Sequence, residues 1–236
     1  MPARILSIDV GGTGLKAAVL NRDGDLISDH LRVLTPKPCP PELLVKTLKL
    51  LVAPFKAYDA VAVGFPGVVR DGRVITAPNL GTDAFAGFAL AAKLSKALGG
   101  KPVRIANDAD VQGFAVVKGA GLEMVATLGT GFGTSLFRDG ELMPHLEIAH
   151  MLASKDKTFD QFIGEKERKK QGSKAWNKRV QKVLPFLYTL VHYDRLYISG
   201  GNAKHLTFKL PRNAKIVPNL SGIKGGAGLW RQTNWK

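Results

Sequence analysis

The sequence predicts an α/β protein built from two related halves, and a repeated pattern is the main observation behind this prediction. Residues 4–33 show a strand, a turn rich in Gly and Thr, a second strand, an Asx-Gly turn and a third strand. The same order returns over residues 124–143. A pattern that recurs along a chain indicates a repeated structural unit, so we expect each half to offer one Gly/Thr turn to a shared cleft.

Hairpin signals and helical spacing predict the elements of the first half. Leucines at helical spacing indicate a helix after the third strand, and a short apolar run indicates a buried strand after that helix. Gly99 and Gly100 end the next helix. The predicted strands cover residues 4–10, 15–20, 26–33, 60–65 and 103–106, and the predicted helices cover residues 42–56, 84–98 and 107–118.

The second half has the same character, apart from a polar and basic segment over residues 155–175 for which no element is predicted. Its predicted strands cover residues 124–128, 135–138, 141–143, 195–199 and 214–217, and its helices cover residues 176–193 and 222–230, with a short helix after residue 202. We expect an N-terminal α/β domain (1–106), a C-terminal α/β domain (107–222) and a terminal helix (223–236) that packs back on the first domain.

Charge is distributed unevenly along the chain. Residues 1–150 contain 16 Lys and Arg against 14 Asp and Glu, whereas residues 151–236 contain 18 against 5, within a formal net charge of +15. One half is near neutral and the other is a strong cation, which indicates a polyanionic partner. Nucleic acid, anionic lipid and inorganic polyphosphate all fit this pattern; a solvated surface that keeps the protein soluble is the alternative.

Composition excludes several classes of protein. No run approaches the roughly 18 apolar residues that a membrane helix needs, and the first strand begins near Arg4, which leaves no room for a signal peptide. Cys39 is the only cysteine, so neither a disulfide nor a cysteine zinc site can form within one chain. We therefore expect a reducing, cytoplasmic location.

Two loops have the composition of phosphate-binding turns. The first is Ile8-Asp9-Val10-Gly11-Gly12-Thr13-Gly14-Leu15-Lys16, and the second is Leu128-Gly129-Thr130-Gly131-Phe132-Gly133-Thr134. Glycine lets the backbone approach a bulky anion, and successive N–H groups can form an anion-binding concavity. The carboxylate of Asp9 beside a phosphate suits a divalent cation. Neither loop matches a Walker loop or a Rossmann fingerprint, and an ordinary Gly-rich hairpin is the alternative for either loop alone.

Two further segments offer side chains for acid–base or hydroxyl chemistry. Asp108 follows a strand and opens a helix, where its carboxylate could accept a proton from an alcohol while Asn107 orients that alcohol. The alternative is that both residues only cap the helix. Glu147 and His150 lie three residues apart, which puts both on one face of a helical turn, suited to grasping vicinal hydroxyls. A structural hydrogen bond is the alternative for this pair, and a metal site lacks further ligands.

Six ordered motifs resemble the ROK sugar kinases, and within that family the glucokinase branch that uses polyphosphate. They are the two Gly/Thr loops, Phe65-Pro66-Gly67-Val68-Val69, Pro78-Asn79-Leu80, Asn107-Asp108-Ala109-Asp110 and Glu147-Ile148-Ala149-His150. The similarity runs from residue 5 to about residue 230 and fades after residue 150. It implies the actin-like ATPase (ribonuclease H-like) fold, in which two α/β domains surround a central cleft.

The resemblance also implies roles for individual residues. Asp108 would be the general base that takes the proton from the 6-hydroxyl of glucose or a similar hexose, and Asp9 would position Mg²⁺ on the donor. The other sugar hydroxyls would be held by Gly67, Asn79, Asn107, Glu147 and His150. The phosphates of ATP or inorganic polyphosphate would be held by Gly11, Gly12, Thr13, Lys16, Gly129, Thr130, Gly131, Gly200, Gly201, Lys169 and Lys170.

Departures from the family pattern bear on the donor. The cysteine-rich zinc motif of many ROK kinases is absent, as the polyphosphate branch leads one to expect. Asn202 replaces the third glycine of the usual Gly-Gly-Gly, which puts tight adenine binding in doubt. The glycines of residues 225–228 stand where such kinases carry glycines beside a nucleotide base or the outer donor site. Together with the basic segment 166–182, these features favour polyphosphate as a donor, alongside ATP, because a polyanionic chain needs a continuing track of cations.

Two alternatives remain open from the sequence. One is an ATP-dependent ROK kinase for another hexose, such as mannose or an amino sugar. The other is a non-catalytic, sugar-sensing regulator, although ROK regulators carry an added N-terminal helix-turn-helix and the first strand here begins at about Arg4. The resemblance further implies a homodimer without a membrane partner, and nucleic acid is at most a minor partner.

Overall fold

Two five-stranded sheets form the framework of the protein in its computed structural model, which describes residues 1–218 and 222–235. The strands are β1 (Arg4–Val10), β2 (Gly14–Asn21), β3 (Leu31–Leu34), β4 (Ala60–Phe65), β5 (Val69–Arg70), β6 (Arg73–Val74), β7 (Val103–Asn107), β8 (Leu122–Leu128), β9 (Phe132–Arg138), β10 (Glu141–Leu142), β11 (Arg195–Ser199) and β12 (Ala214–Ile216). The helices are α1 (Pro41–Val52), α2 (Thr82–Phe85), α3 (Leu90–Ala97), α4 (Asp108–Phe114), α5 (Phe159–Ile163), α6 (Glu165–Val191) and α7 (Gly226–Arg231).

Each five-stranded sheet belongs to a separate unit of the chain. Unit 1 comprises Met1–Ala115 and Ser221–Lys236, and unit 2 comprises Val116–Leu220. The first division thus falls after residue 115, where the sequence suggested a boundary after residue 106. The reason is that α4 packs on β4, β7 and α7 of unit 1.

The sheet of unit 1 has the order β3-β2-β1-β4-β7, and that of unit 2 has the order β10-β9-β8-β11-β12. In each sheet the first three strands in this order pair antiparallel, and the last two strands each add a parallel pairing. The second sheet therefore repeats the first strand for strand, which confirms the internal repeat predicted from the sequence.

The two faces of the unit 1 sheet are covered differently. Leucines of α1 and α3, among them Leu44, Leu48 and Leu94, pack against one face of the sheet and form a buried apolar core with its side chains. Helices α4 and α7 cover small side chains on the other face. A Cβ atom on Gly226 would collide with the Ser7 hydroxyl, so the glycines of residues 225–228 allow α7 to lie against the sheet. The glycine run therefore has a packing role in unit 1.

Unit 2 is organised around the long helix α6. Its buried side chains pack against the sheet and α5, and the indole Nε1 of Trp176 donates to the Ile163 carbonyl at 2.7 Å. Gly172 interrupts the helix at φ 77° and ψ 159°, a conformation essentially restricted to glycine. The helix therefore consists of an N-terminal part, residues 165–171, and a C-terminal part, residues 173–191. Among the described residues, no helix is long and apolar enough to span a bilayer.

Three stretches differ from the sequence prediction. Strand β3 begins only at Leu31, because Leu26 makes no more than an isolated bridge with Leu20. The helix expected over residues 84–98 is two helices, because the chain becomes extended at Ala86, where ψ is 121°. The basic segment 155–175 is largely helical: a capping box at Thr158 starts α5, and α6 follows from residue 165.

A buried carboxylate fixes the turn that leads into β8. Glu123 accepts hydrogen bonds from the backbone N–H groups of Lys118, Gly119 and Ala120 at 2.6–3.2 Å, and from the Tyr197 hydroxyl at 2.5 Å. Burial alone would raise the pKa of Glu123, but these hydrogen bonds to its charged form outweigh burial and lower it. Burial and the bond to Glu123 in turn raise the pKa of Tyr197 to about 12.

We expect Glu123→Gln to lower the free energy of unfolding at neutral pH by about 1–3 kcal/mol. The side-chain NH₂ of glutamine would face the backbone N–H groups and the Tyr197 hydroxyl, which need an acceptor. A folded-state pKa below the unfolded value gives stability that is present above the unfolded pKa, near 4.5, and lost as the pH falls through the folded pKa. The difference between wild type and variant should therefore shrink in acid. Urea unfolding at neutral and at acidic pH measures it; an equal difference at both would contradict this account.

Candidate active site

The carboxyl ends of the parallel strands of unit 1 meet at one edge of its sheet. The strand register pairs Asp9 of β1 with Gly64 of β4, and Phe65 of β4 with Asn107 of β7. The first Gly/Thr loop follows β1, Gly67 follows β4, and Asp108 follows β7. Ligands of open α/β sheets bind outside the carboxyl ends of the strands, so this edge is the candidate site of unit 1.

The first Gly/Thr loop is held in one shape by short hydrogen bonds. The Gly11 N–H donates to the Gly14 carbonyl at 3.0 Å, and the Thr35 hydroxyl donates to the Gly11 carbonyl at 2.6 Å. Asn79 lies against the loop, since a Cβ atom on Gly12 would come within 3.3 Å of the Asn79 Cβ. The structure thus brings Asn79, expected at the sugar, next to the loop expected to bind phosphate.

Asp9 ends β1 with its carboxylate beside the opposing strand. Its Oδ2 forms an ion pair with Lys16 Nζ of β2 at 3.2 Å, and a Cβ atom on Gly222 would lie 3.3 Å from its Oδ1. Proteins commonly hold Mg²⁺ through one or two carboxylates, with water and substrate phosphates completing the octahedron. A single carboxylate at a phosphate loop fits this pattern. The described ranges contain no cluster of three or more His, Cys, Asp or Glu that would form an all-protein cage.

Asn107 and Asp108 join β7 to α4, and both side chains accept a hydrogen bond from the first turn of that helix. The backbone N–H of Ala109 donates to Asn107 Oδ1 and to Asp108 Oδ1, at 2.8 Å each. Asn107 is buried and its Nδ2 also donates to the Gly67 carbonyl at 3.1 Å. Gly67 is required there, because a Cβ atom would collide with the Thr76 carbonyl. These contacts fix the backbone from which the half-buried Asp108 side chain projects.

In unit 2 the second Gly/Thr loop is anchored at three points. The Phe132 N–H donates to Asp160 Oδ1 at 2.6 Å, and the Thr130 carbonyl accepts from the Glu165 N–H at 3.1 Å. The Gly129 carbonyl accepts from Asn202 Nδ2 at 2.9 Å. This loop is therefore positioned by α5, by α6 and by the turn after β11. Within the loop, the Gly129 N–H donates a hydrogen bond to the Gly131 carbonyl at 3.0 Å.

Gly200 and Gly201 follow β11 at the same sheet edge as the second loop, because β11 pairs with β8 up to Ser199 and Thr127. Gly200 has φ 94°, and a Cβ atom there would overlap the backbone of Leu128, whereas a Cβ atom on Gly201 would meet nothing within 4 Å. Asn202, which departs from the family glycine, is buried and ties this turn to the second loop. The side chain of Asn202 therefore stabilises the second loop.

Glu147 lies between two histidines in unit 2. Its carboxylate contacts His145 Nε2 at 3.2 Å and His150 Nε2 at 3.3 Å. The sequence predicted the pairing with His150 on one turn, which is a 3-10 turn (Ile148–His150); it missed His145. The hydrogen bond from His145 outweighs burial and, with the charges of both imidazoles, lowers the pKa of Glu147. At neutral pH the group is a carboxylate, which accepts hydrogen bonds from hydroxyls.

The lysines of α6 begin close to the second loop, since Glu165 at the first position of the helix bonds Thr130. Lys169 is exposed and forms an ion pair with Glu165 at 3.1 Å. Lys170 is exposed, and no carboxylate pairs with it in residues 1–218 and 222–235. Arg179 is less available, because it holds the buried Glu167 and stacks on Phe162 at 4.8 Å. The basic segment is thus partly neutralised, with lysines as its exposed members.

Residues 5–158 of the chain match the model of the ROK family. The chain belongs to the ROK family. It is 34% identical over 236 residues to the polyphosphate glucokinase of Mycobacterium tuberculosis (strain CDC 1551 / Oshkosh), covering 93% of this chain and 88% of that protein. It is 31% identical over 240 residues to the polyphosphate glucokinase of Mycobacterium leprae (strain TN), covering 95% and 74%. With relatives of this kind along nearly its whole length, this ROK protein is a phosphotransferase with an alcohol acceptor.

Solved structures of ROK proteins have the same fold. The crystal structure of the inorganic polyphosphate/ATP-glucomannokinase from Arthrobacter sp. strain KM matches with a TM-score of 0.83 at 29% identity, over 95% of this chain and 97% of that one. A ROK glucokinase from Streptomyces griseus, in complex with glucose and AMPPNP, matches with a TM-score of 0.74 over 96% and 97%. At 19% identity the latter shows the fold alone. The actin-like ATPase fold expected from the sequence is confirmed.

The residues that the resemblance predicts for the site fall into two sets. Unit 1 contains Asp9, Gly11, Gly12, Thr13, Lys16, Gly67, Asn79, Asn107 and Asp108. Unit 2 contains Gly129, Thr130, Gly131, Glu147, His150, Lys169, Lys170, Gly200 and Gly201. The supporting residues Thr35, His145, Asp160 and Asn202 were missed by the sequence reasoning. His145 could have been found from the sequence, because it lies two residues before Glu147. The other three contact their loops across long sequence separations.

Proposed function

We propose that this ROK protein is a glucokinase that transfers a phosphoryl group from inorganic polyphosphate, with ATP as a second donor, to the 6-hydroxyl of glucose. The observation that carries this proposal is the alignment of Asp9, Gly67 and Asp108 at the carboxyl ends of three paired strands. That arrangement offers a phosphate loop, a cation ligand and a carboxylate at one sheet edge. The polyphosphate glucokinases to which the chain is similar support the choice of substrates.

In the proposed reaction Asp108 accepts the proton of the sugar 6-hydroxyl as its oxygen attacks the terminal phosphorus. The new O–P bond forms while the bond from that phosphorus to the bridging oxygen of the donor breaks, and the shortened donor leaves with the electron pair. Asn107, fixed by Gly67, and the ionised Glu147 hold other sugar hydroxyls. General-base assistance of this kind contributes about 10²–10⁴ in rate.

The donor phosphates would be held by backbone amides of the two Gly/Thr loops, by Lys16 and by the turn at Gly200 and Gly201. Asp9 would hold Mg²⁺, which supplies charge neutralisation on the donor when bound. The two loops and the turn contain eight glycines, which have no side chain between the backbone N–H groups and an anion. The Lys16 ammonium, 3.2 Å from Asp9, lies where it can pair with a phosphate oxygen as well.

The positive charge of α6 supports polyphosphate as a donor. A nucleotide needs a few cations near its phosphates, whereas a long polyanion gains from every further cation along its path. The exposed lysines of α6 start beside the second loop and continue along the helix away from it. Residues 151–236, which include α6, contain 18 Lys and Arg against 5 Asp and Glu, whereas residues 1–150 contain 16 against 14.

Initial rates with long-chain polyphosphate or ATP, against glucose, mannose and N-acetylmannosamine, test the proposal. Mannose is included because the Arthrobacter structure is of a glucomannokinase. We expect the fastest turnover with glucose and measurable turnover with polyphosphate. Background rates with polyphosphate beside clear rates with ATP would remove the donor assignment, and a preferred hexose other than glucose would replace the acceptor. Sugar binding without turnover in every combination would favour the sugar-sensing alternative.

Charge reversal of Lys169 and Lys170 should raise KM for polyphosphate at least several-fold more than KM for ATP, because only the long donor extends along α6. Steady-state kinetics of Lys169→Glu/Lys170→Glu measure both constants. The matched control is Lys46→Glu/Lys49→Glu on the exposed side of α1, which makes the same change in net charge within unit 1. Equal effects on both donors would count against a role for these lysines.

A further inference from the structure

A pocket of about 360 Å³ lies on the C-terminal part of α6. It opens directly after the break at Gly172, and its second wall is the chain that follows the 3-10 turn Ala203–His205. The residues that line it are Ser173, Lys174, Asn177, Lys178, Gln181, Thr207 and Phe208. None of them belongs to the Gly/Thr loops or to the sugar-binding set described above.

Asn177 forms the floor of this pocket and holds its two walls together. Its Nδ2 donates to the Ser173 carbonyl at 2.9 Å and to the His205 carbonyl at 2.8 Å, while its Oδ1 accepts from the Thr207 N–H at 2.8 Å. The side chain is buried. Because its amide is fully engaged within the protein, Asn177 shapes the pocket and leaves recognition to the residues around the rim.

The rim carries cations without acidic partners. Lys174 and Lys178 are exposed and lie one helical turn apart, and Lys182 extends the same stripe. The neighbouring acidic residues in the sequence are Glu167 and Asp194. Glu167 is already held by Lys157 and Arg179, and Asp194 caps the Leu122 N–H at 2.7 Å. In the described part of the chain, no carboxylate forms an ion pair with Lys174 or Lys178, so an external anion is the natural counter-charge.

The pocket is connected to the second Gly/Thr loop by a short series of hydrogen bonds. The Gly129 carbonyl accepts from Asn202, whose own carbonyl accepts from the His205 N–H at 3.0 Å. The His205 carbonyl in turn accepts from Asn177 at the pocket floor. The turn at residues 202–205 therefore separates the loop that would hold the reacting phosphates from the pocket, and both lie within unit 2.

We propose that the Lys174–Lys178 pocket binds phosphates of a polyphosphate chain that lie beyond the reacting end. This inference rests on the proposed function and names a binding site for the distal part of the donor. The two ammonium groups neutralise phosphate oxygens, and the hydroxyls of Ser173 and Thr207 donate hydrogen bonds to them. Long chains then bind more tightly than short ones, because only they reach from the second Gly/Thr loop to the pocket.

A nucleobase is the other occupant that a pocket of this size admits, and Phe208 could stack on it. Recognition of a base edge needs fixed polar groups, however, and the one buried polar side chain, Asn177, has its donors and acceptor engaged. The exposed groups at the rim are two cations and two hydroxyls, which suit phosphate oxygens. The observations therefore favour phosphate.

Two equilibrium binding measurements on the full chain test this site. The first measures the affinity for fluorescently labelled long-chain polyphosphate, and the second measures the affinity for unlabelled tripolyphosphate by competition with it. Lys174→Gln/Lys178→Gln should weaken binding of the long chain at least tenfold. The magnitude of the slope of log K against log salt should fall by roughly 1.4–1.8, as expected for the loss of two phosphate contacts. Binding of tripolyphosphate should be unchanged, because it occupies the loop alone. Steady-state kinetics should show a higher KM for long polyphosphate at constant kcat.

The control is Lys118→Gln/Lys215→Gln, which removes the same charge from unit 2 around the Glu123–Tyr197 contact. Equal loss of affinity in both double variants, or no loss in either, would overturn the site. Displacement of the labelled chain from the wild type, but not from Lys174→Gln/Lys178→Gln, by adenosine would overturn it in favour of a nucleoside. A wild type that binds polyphosphate through these lysines but never turns it over would instead refute the donor assignment and keep the site.

Discussion

Asp108→Asn is expected to lower kcat with glucose by about 10²–10⁴, with little change in the dissociation constant of the sugar. The amide retains the size of the carboxylate, and it can still accept the Ala109 N–H that caps α4 at 2.8 Å. The local fold and the sugar pocket are therefore kept. What is lost is the group that takes the proton of the attacking hydroxyl.

Steady-state kinetics and calorimetric titration with glucose separate these two effects. Asp29→Asn is the matched control, because Asp29 is an exposed aspartate of unit 1 outside the helices and strands, and its substitution should leave both quantities unchanged. Turnover of Asp108→Asn within tenfold of wild type would assign the base to another residue. A large rise in the dissociation constant for glucose would show that Asp108 mainly binds the sugar.

Gly200→Ala is expected to lower the free energy of unfolding by about 2–4 kcal/mol, and the midpoint of thermal unfolding by roughly 5–15 °C. Two costs combine in this variant. Alanine is strained at φ 94°, and its Cβ would overlap the Leu128 backbone at the start of the second Gly/Thr loop. Relief of that overlap must move the end of β8, and with it the loop that Asn202 anchors.

Gly201→Ala is the matched stability control, because the neighbouring glycine has ordinary φ and open space around its Cβ position. Its thermal midpoint should stay within a few degrees of wild type. Differential scanning calorimetry of the two variants compares them directly. Equal midpoints for both would mean that the approach of Gly200 to Leu128 is not a constraint on the fold.

Much of the sheet framework could be predicted because its signals are local. The hairpin turns carry Asx-Gly pairs, and the central strands β1, β4 and β8 are short apolar runs bounded by glycine or polar residues. Asp9 could be nominated because it lies near the end of β1, and Asp108 and the two Gly/Thr loops because each follows a strand directly. The pairing of β1 with β4 and β7 then explains how residues far apart in sequence reach one sheet edge.

The failures arose where distant contacts decide the local structure. The basic stretch before residue 176 lacks an apolar stripe, yet it is helical because Trp176 and Ile163 pack in the core and Glu165 bonds the second loop. Thr35, Asp160 and Asn202 support the loops from positions that give no sign of this in the sequence. The glycines of residues 225–228 allow the close approach of α7 to β1 and α4, a packing role for which the sequence gives no local signal.

The return of the chain to unit 1 through α7 has a consequence for biosynthesis. The Ser7 hydroxyl donates to the Ile223 carbonyl at 2.7 Å, and Arg104 donates to carbonyls at Leu229 and Gln232. When residues 1–115 have been synthesised, α7, one of the two helices that cover the second face of their sheet, has not yet been made. Unit 2, a continuous stretch, has all of its strands before that helix is made. The earlier-synthesised unit is therefore the later one to be completed, and the part of its sheet that α7 covers stays exposed in the interval.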